Sequence, residues 1–288
     1  MERRYMKINL SVPVDDPAHP LHNTFEYLIL NKQGNRNIAD VMEDFIRIDK
    51  ASWQLNVLEE QEDVAEFVNR QAQIFVSAIR GYIIPNLFSF VKTFPQDPQL
   101  HCVLGYAAQM VGKYSLALKE YLLAIEYSEK TTHIHFLFAQ LCWTVANERY
   151  YGRRRKKDFR FYCDMAIRSV DRVLSVEQDN TEMLVLKGVI LGACGVRKLK
   201  EGVKALSAAC SIEPENFWNH WELANLCEKF GNIREAFFAY KKAKDVASDD
   251  PDLADMAEEK ISFLKKSFKR KIGKNEGTWY SGKSKKKR

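Results

Sequence analysis

The chain lacks the patterns that mark most metal sites, disulfide frameworks and membrane spans. Its six cysteines contain no C-x-x-C pair, and no cysteine or carboxylate cluster accompanies its six histidines. No apolar run approaches the ~18 residues that a membrane-spanning helix needs, and the first residues contain no secretory apolar segment. We therefore expect a cytoplasmic protein with no cofactor, no metal and no enzymatic activity. Cys142 and Cys227 are interpreted as small core residues in a reducing compartment.

One apparent catalytic pattern has the wrong surroundings. Residues 277 to 284, GTWYSGKS, match the phosphate-loop pattern G-x-x-x-x-G-K-[ST]. Such a loop joins a strand to a helix whose N-terminus stabilises the anion. Here a basic helical segment precedes the match, and four residues follow Ser284. We interpret the match as a coincidence in a tail rich in glycine, serine and lysine.

Small and aromatic residues recur with the period of a helical repeat. Pro251 follows Phe217 by 34 residues. Between them the pattern places Leu223, Ala224, Gly231, Ala236, Tyr240 and Ala243. A register that starts at Pro98 places Leu104, Gly105, Gly112, Ala117, Tyr121 and Ala124 at the same positions. Glycine stands at the turn in both copies, where it adopts a positive φ without penalty.

Two weaker copies lie between these. One has Gly188 at the small position and ends with Leu206, Ala209 and Pro214. The other has Phe138, Ala139 and Cys142 on its first helix and Ala166, Val170 and Val173 on its second, with an insertion near residues 147 to 160. We therefore predict about four units over residues 98 to 250. A capping helix follows at residues 251 to 271, with an apolar stripe of Leu253, Met256, Ala257, Ile261 and Leu264.

This spacing resembles the tetratricopeptide repeat. The resemblance implies an all-α fold, a right-handed superhelical solenoid of helix-turn-helix units with a concave surface that binds a partner. Four units exceed the three or so that such arrays need to bury a continuous core. A generic helical bundle is the alternative, since small and apolar residues at helical spacing occur in any all-helical protein.

The first 97 residues do not show the repeat. Ile8, Leu10, Val12 and Val14 alternate with other residues, so we predict an extended arm and linker over residues 1 to 36. Residues 37 to 97 are predicted to form a helical N-terminal cap that docks on the first repeat, with a separate helical domain as the alternative. Asn37 is expected to cap its first helix, Gly81 to end its second, and Pro85 to open its third.

Positive charge is concentrated at the end of the chain. Residues 265 to 288 carry eleven Lys or Arg against the single acid Glu276, a net charge of +10, so residues 1 to 264 carry 6 − 10 = −4. We predict a disordered basic tail over residues 272 to 288. The candidate contacts to a polyanion in the tail and in the insertion are Arg153, Arg154, Arg155, Lys156, Lys157, Lys283, Lys285, Lys286, Lys287 and Arg288. A solvated terminus that aids solubility is the alternative.

The resemblance also implies where a partner would bind. The candidate residues on the first helices are His101, Phe136, Gln140, Trp218, Trp221 and Asn225. Some tetratricopeptide domains hold the C-terminal carboxylate of heat-shock chaperones with Lys, Asn and Arg on these helices. At the fifth and ninth places this chain has Cys102 and Tyr106 in one unit and Trp221 and Asn225 in another, and only Asn225 fits. Chaperone tails are therefore disfavoured as partners.

Three functions follow from these patterns. The first is a non-enzymatic scaffold or adaptor that recognises a protein or peptide on the concave face. The second is a nucleic-acid- or ribosome-associated protein that uses the basic tail and insertion, which in a eukaryote would also suit a nuclear location. The third is a bacterial secretion-type chaperone, by analogy of fold.

Overall fold

The computed structural model describes residues 21–31, 36–58, 65–150, 156–195, 198–247 and 249–272. Every regular element in these ranges is a helix. The chain divides into two compact units, Met1–Gln178 and Asp179–Arg288. The alternating segment at residues 8 to 14, the residues Arg153, Arg154 and Arg155, and the tail from residue 273 lie outside the described ranges.

The described residues of the first unit form eight α-helices. They are α1 (His22–Asn31), α2 (Arg36–Leu58), α3 (Ala65–Ala78), α4 (Ile84–Thr93), α5 (Pro98–Met110), α6 (Tyr114–Tyr127), α7 (Thr132–Val145) and α8 (Lys156–Leu174). The pairs α5–α6 and α7–α8 pack together. Helix α5 begins at Pro98, as the repeat spacing predicts, whereas α8 begins at Lys156, inside the predicted insertion at residues 147 to 160. A π-helical turn, Ala146–Tyr150, extends α7 into the insertion.

The second unit contains two helix pairs and a longer final helix. They are α9 (Thr181–Cys194), α10 (Leu199–Ile212), α11 (Phe217–Lys229), α12 (Ile233–Val246) and α13 (Pro251–Ile272). The turns within the pairs contain Gly195 (φ 107°) and Gly231 (φ 81°), and Gly112 (φ 71°) has the same role between α5 and α6. These positive φ angles explain why glycine recurs at the turn.

An Asp or Asn side chain caps the start of four helices. Asp97 precedes α5, and its Oδ1 accepts hydrogen bonds from the backbone N–H groups of Gln99 (2.9 Å) and Leu100 (3.3 Å). Asn180, Asn216 and Asp250 cap α9, α11 and α13 in the same manner. Such caps satisfy N–H groups that have no partner within the helix, and each contributes about 1 kcal/mol.

Within the pairs, a small residue on the first helix faces a large one on the second. A Cβ atom added to Gly105 would lie 2.9 Å from Cδ1 of Tyr121. One added to Gly188 would overlap Leu206 and lie 3.1 Å from the carbonyl oxygen of Gly202. In these two pairs the helices approach closely because the first lacks a side chain at this point. Helices α7 and α11 have the small residues Ala139 and Ala224 at the same place.

Histidine occupies the fourth place of α5, α7 and α11. In each case Nε2 lies close to the backbone carbonyl oxygen six residues earlier: His101 to Pro95 (2.9 Å), His135 to Glu129 (2.9 Å) and His220 to Pro214 (2.8 Å). Each ring donates a hydrogen bond that fixes the preceding loop against the new helix.

The N-terminal region differs from its predicted structure in three respects. Helix α2 begins at Arg36, so Asn37, which was expected to cap it, is its second residue. Residues 22 to 31 were predicted as linker but form α1. Leu21, which directly precedes α1, and Phe25 and Leu28 within it are buried.

Gly81 does not end a helix. Pro85 lies in the first turn of α4, as predicted, although the chain enters α4 with no break in the helical backbone. The π-helical turn Ile79–Ile83 joins α3 to α4 without a break. The helix continues through Gly81, which has no Cβ, because Ile79 and Ile83 on either side of it are buried.

The continuous helix also corrects the expectation about membrane-spanning length. The segment Ala72–Thr93 has 22 residues and is apolar enough to cross a membrane, judged by length and composition alone. Core helices of soluble proteins meet the same criterion. Here Ile83, Leu87 and Phe90 are buried and α4 packs on α5, but only 28% of the apolar window is buried.

Helices α1 and α2 lie against first helices of the repeats in the first unit. The Thr24 hydroxyl donates a hydrogen bond to Oε1 of Gln99 on α5 (2.8 Å) and lies 3.1 Å from Nε2 of His133 on α7. The Tyr106 hydroxyl on α5 donates to Oδ1 of Asp49 on α2 (2.9 Å). These bonds show that the chain's own N-terminal helices cover this side of α5.

We predict that Gly188→Ala destabilises the second unit by about 1–3 kcal/mol, because the new methyl group must displace Leu206 or the Gly202 backbone. The matched control is Gly81→Ala, where an added Cβ meets nothing within 4 Å. That variant should be neutral or more stable by about 0.5–1 kcal/mol. Denaturant midpoints measure both, and a neutral Gly188→Ala would contradict the close approach.

Candidate partner-binding face

The candidate residues of the first unit are buried. His101 and Gln140 are each 3% exposed, and Phe136 is 6% exposed. Tyr106, at the ninth place of its repeat, is held by Asp49 of α2. The predicted groove residues of this unit therefore present no open surface to a partner.

His101 has a structural role in this unit. Its Nδ1 lies 2.7 Å from a carboxylate oxygen of Glu120, and its Nε2 lies 2.9 Å from the Pro95 carbonyl oxygen. Burial lowers the pKa of His101, but the hydrogen bonds to Glu120 and Pro95 raise it by more, so the net pKa lies above its usual value. Both ring nitrogens donate hydrogen bonds when the ring is protonated, which ties α5 to α6.

The candidate residues of the second unit lie together on α11. Trp218 is 46% exposed and meets Phe217 edge to face. Trp221 stacks on Phe217 with ring centroids 5.6 Å apart and meets Tyr240 edge to face at 5.1 Å. Oδ1 of Asn225 accepts a hydrogen bond from the Tyr240 hydroxyl (2.7 Å). Trp221 therefore packs between helices, and Trp218 is the more exposed of the two tryptophans.

Helical spacing defines the exposed side of α11. Trp218, Glu222, Asn225 and Lys229 follow one another at intervals of four, three and four residues and so share one face. We call these four residues the α11 face. Sequence reasoning missed Glu222 and Lys229, although their spacing from Trp218 was the signal that could have identified them. Nζ of Lys229 donates to the Gly192 carbonyl oxygen (3.2 Å), which connects the α11 face to α9.

A polar network supports this face from the α12 and α13 side. The Tyr240 hydroxyl lies 2.7 Å from Oε2 of Glu228 as well as from Asn225. Nζ of Lys260 on α13 donates to the same Glu228 oxygen (3.1 Å) and lies 5.8 Å from the Tyr240 ring centroid. Tyr240 is fully buried, so its bonds fix the orientation of Asn225.

Glu222 is the acidic residue of the α11 face, and its pKa is shifted from the usual value. Burial raises its pKa to about 7, an effect that a hydrogen bond from Asn225 partly opposes. Within the described ranges Glu222 makes no salt bridge. The face therefore combines an exposed indole with a partly desolvated carboxylate that lacks a cationic partner.

The remaining candidate groups are dispersed or buried. Cys102, Cys142 and Cys227 are buried thiols, and burial raises the pKa of each. Among the described residues, no three His, Cys, Asp or Glu side chains are grouped so as to hold a metal ion. Lys156 and Lys157, the described part of the basic insertion, are exposed at the start of α8.

No protein-family model and no curated protein matches the sequence. Among solved structures, the chain is similar to the MamA RS-1 ArsTM double mutant, with 14% identity and a TM-score of 0.51 over 66% of this chain and 98% of that one. MamA 41-end from Desulfovibrio magneticus RS-1 gives 13% identity and a TM-score of 0.50 over the same shares, 66% and 98%. MamA is itself a tetratricopeptide-repeat protein. The predicted all-α tetratricopeptide fold is thereby confirmed.

We predict that Glu222→Gln stabilises the protein at pH 8 and has little effect near pH 4.5. Because the folded state raises the pKa from 4.5 to about 7, it binds the proton more tightly than the unfolded state does. The free energy of unfolding of the wild type therefore falls as pH rises from about 4.5 to 7, by at most about 3 kcal/mol. The variant avoids this decrease because glutamine does not ionise. Denaturant unfolding across this range measures the difference. The matched control is Glu215→Gln, on a carboxylate that is 79% exposed, and an equal gain there would contradict burial of Glu222 as the cause.

Proposed function

We propose that this protein is a non-enzymatic scaffold that holds a segment of a partner protein on the α11 face. The proposal rests on the exposure of Trp218 on the α11 face, where the buried Tyr240 holds Asn225 in a fixed orientation. Tryptophan is enriched among residues that dominate protein interfaces, and a preorganised surface loses little conformational entropy on binding. The corresponding side of α5 is already covered by α2, so the second unit offers the open face.

The fold supports binding rather than catalysis as the activity. Helical repeats of this kind present surfaces built from successive first helices. Fold alone does not assign a function, so the proposal depends on the site itself. We place the protein in the cytoplasm, where the buried thiols of Cys102, Cys142 and Cys227 stay reduced.

We predict that Trp218→Ala lowers partner capture by at least about tenfold, since truncating a central tryptophan typically costs about 2 kcal/mol or more. The matched control is Phe238→Ala, on α12 of the same repeat, because Phe238 is 52% exposed. Quantitative affinity capture with the full chain compares the two variants with the wild type, after thermal melting has verified that both fold. Equal recovery by the two variants would refute binding at the α11 face.

Association with nucleic acid is a second candidate, favoured by the exposure of Lys156 and Lys157 beside Arg153, Arg154 and Arg155. Lysine and arginine that neutralise phosphates release counterions, which makes binding salt-dependent.

For this second function, deletion of residues 265 to 288 should weaken binding to single-stranded RNA and flatten the plot of log affinity against log salt. The tail carries a net charge of +10 by sequence, so its loss removes up to that number of phosphate contacts. Fluorescence anisotropy at several salt concentrations measures the slope. An unchanged slope would rule out the tail as the contact.

A further inference from the structure

The exposed side of α13 continues the α11 face. Asp252, Met256, Glu259 and Phe263 each follow a member of the α11 face by 34 residues, so they hold the same places on the next helix. Phe263 is 57% exposed, and Asp252 and Glu259 are exposed as well. The buried stripe of α13 is formed instead by Ala257, Ile261 and Leu264.

Helices α11 and α13 are neighbours within the second unit. Phe217 of α11 and Ala257 of α13 belong to one buried cluster, and Leu253 packs against that cluster. Nζ of Lys260 reaches Oε2 of Glu228 at 3.1 Å. These two contacts link the helices near their starts and near their ends, and the exposed stripes hold the same places in the repeat. We infer from this register that the two stripes lie on the same side of the unit. We call the eight residues, Trp218, Glu222, Asn225, Lys229, Asp252, Met256, Glu259 and Phe263, the two-helix face.

The charge of the two-helix face is acidic and largely uncompensated. Glu222, Asp252 and Glu259 carry three carboxylates, and none of them forms a salt bridge with another described residue. The single cation, Lys229, donates to the Gly192 carbonyl oxygen. Two exposed aromatic rings, Trp218 and Phe263, stand among these carboxylates.

We propose that the two-helix face binds a cationic segment of a partner protein, with Lys or Arg side chains paired to Glu222, Asp252 and Glu259 and apolar side chains packed on Trp218 and Phe263. This inference rests on the proposed function and specifies its ligand. Complementary charge selects the partner and excludes acidic segments, which like charges repel. A guanidinium group gains further attraction from the face of an indole ring. Met256 lies between the carboxylates and is flexible enough to fit varied apolar side chains.

The test screens the full chain against an array of random twelve-residue peptides at low salt and then measures the affinities of the enriched peptides. The face variant is Glu222→Gln, Asp252→Asn and Glu259→Gln together. The matched variant is Glu201→Gln, Glu215→Gln and Glu235→Gln together, which removes three exposed carboxylates elsewhere in the same unit. The measurements are made at pH 8.5, above the pKa of about 7 of Glu222, so that its carboxylate is ionised. Both variants then change the net charge nearly equally, and a difference between them reports position and not overall charge.

We expect the wild type to enrich peptides that combine Lys or Arg with an aromatic or aliphatic residue. The face variant should bind them about tenfold more weakly, since three partly exposed pairs are lost. The matched variant should stay within about twofold of the wild type. Enrichment of neutral or acidic peptides, or an equal loss in both variants, would overturn the proposal.

Trp218→Ala separates this inference from the function on which it rests. If enriched peptides lose binding in Trp218→Ala but are not cationic, the α11 face binds a partner and only the inferred charge is wrong. If no enriched peptide responds to Trp218→Ala, both the ligand and the binding face are wrong.

Discussion

The close approach of the two helices in each pair is the constraint on which the repeat units depend. Gly105 leaves room for the Tyr121 ring, and Gly188 leaves room for Leu206. In the last pair, Ala224 and Tyr240 share one buried cluster. The hydroxyl of that same Tyr240 binds Asn225 and Glu228, so the ring that sets the helix spacing also orients the exposed face. The packing of the last pair and the arrangement of the α11 face therefore depend on one side chain, because any shift of the ring moves the polar groups that it holds.

The histidines at the fourth place show how one position acquires different charge states. His101 and His135 both donate Nε2–H to a carbonyl oxygen in the preceding loop. At Nδ1 they differ, since His101 faces the carboxylate of Glu120 and His135 faces the Ser169 hydroxyl at 3.4 Å. Burial lowers the pKa of His135, whereas the bonds of His101 overcome the same effect. The backbone contact thus recurs at both histidines, while the second neighbour sets the direction in which the pKa shifts.

Local spacing allowed much of the fold to be predicted from the sequence. The register of Phe217 and Pro251 predicted where α11 and α13 begin, because the cap, the turn glycine and the small residue all act within one repeat. It also identified Trp218 as a candidate. The repeat register did not reveal that α2 covers Tyr106. The contact joins Tyr106 to Asp49, 57 residues earlier, and a contact between such distant residues produces no periodic pattern in the sequence. The raised pKa of Glu222 was equally hidden, because burial depends on neighbouring helices. Glycine frequencies favoured a helix end at Gly81, where buried neighbours keep the helix intact.

The position of α1 has a consequence for synthesis of the chain. Contacts in a repeat array are mostly between neighbours, yet Thr24 lies against His133, which is 109 residues later in the sequence. At roughly 5–20 residues per second, α7 leaves the ribosome about 5–20 seconds after α1. For that interval Phe25 can already pack on Phe45 of α2, whose ring centroid lies 5.5 Å away, but Thr24 lacks its partners Gln99 and His133. The N-terminal helices therefore complete their docking only after the first repeat and the start of the second have been synthesised.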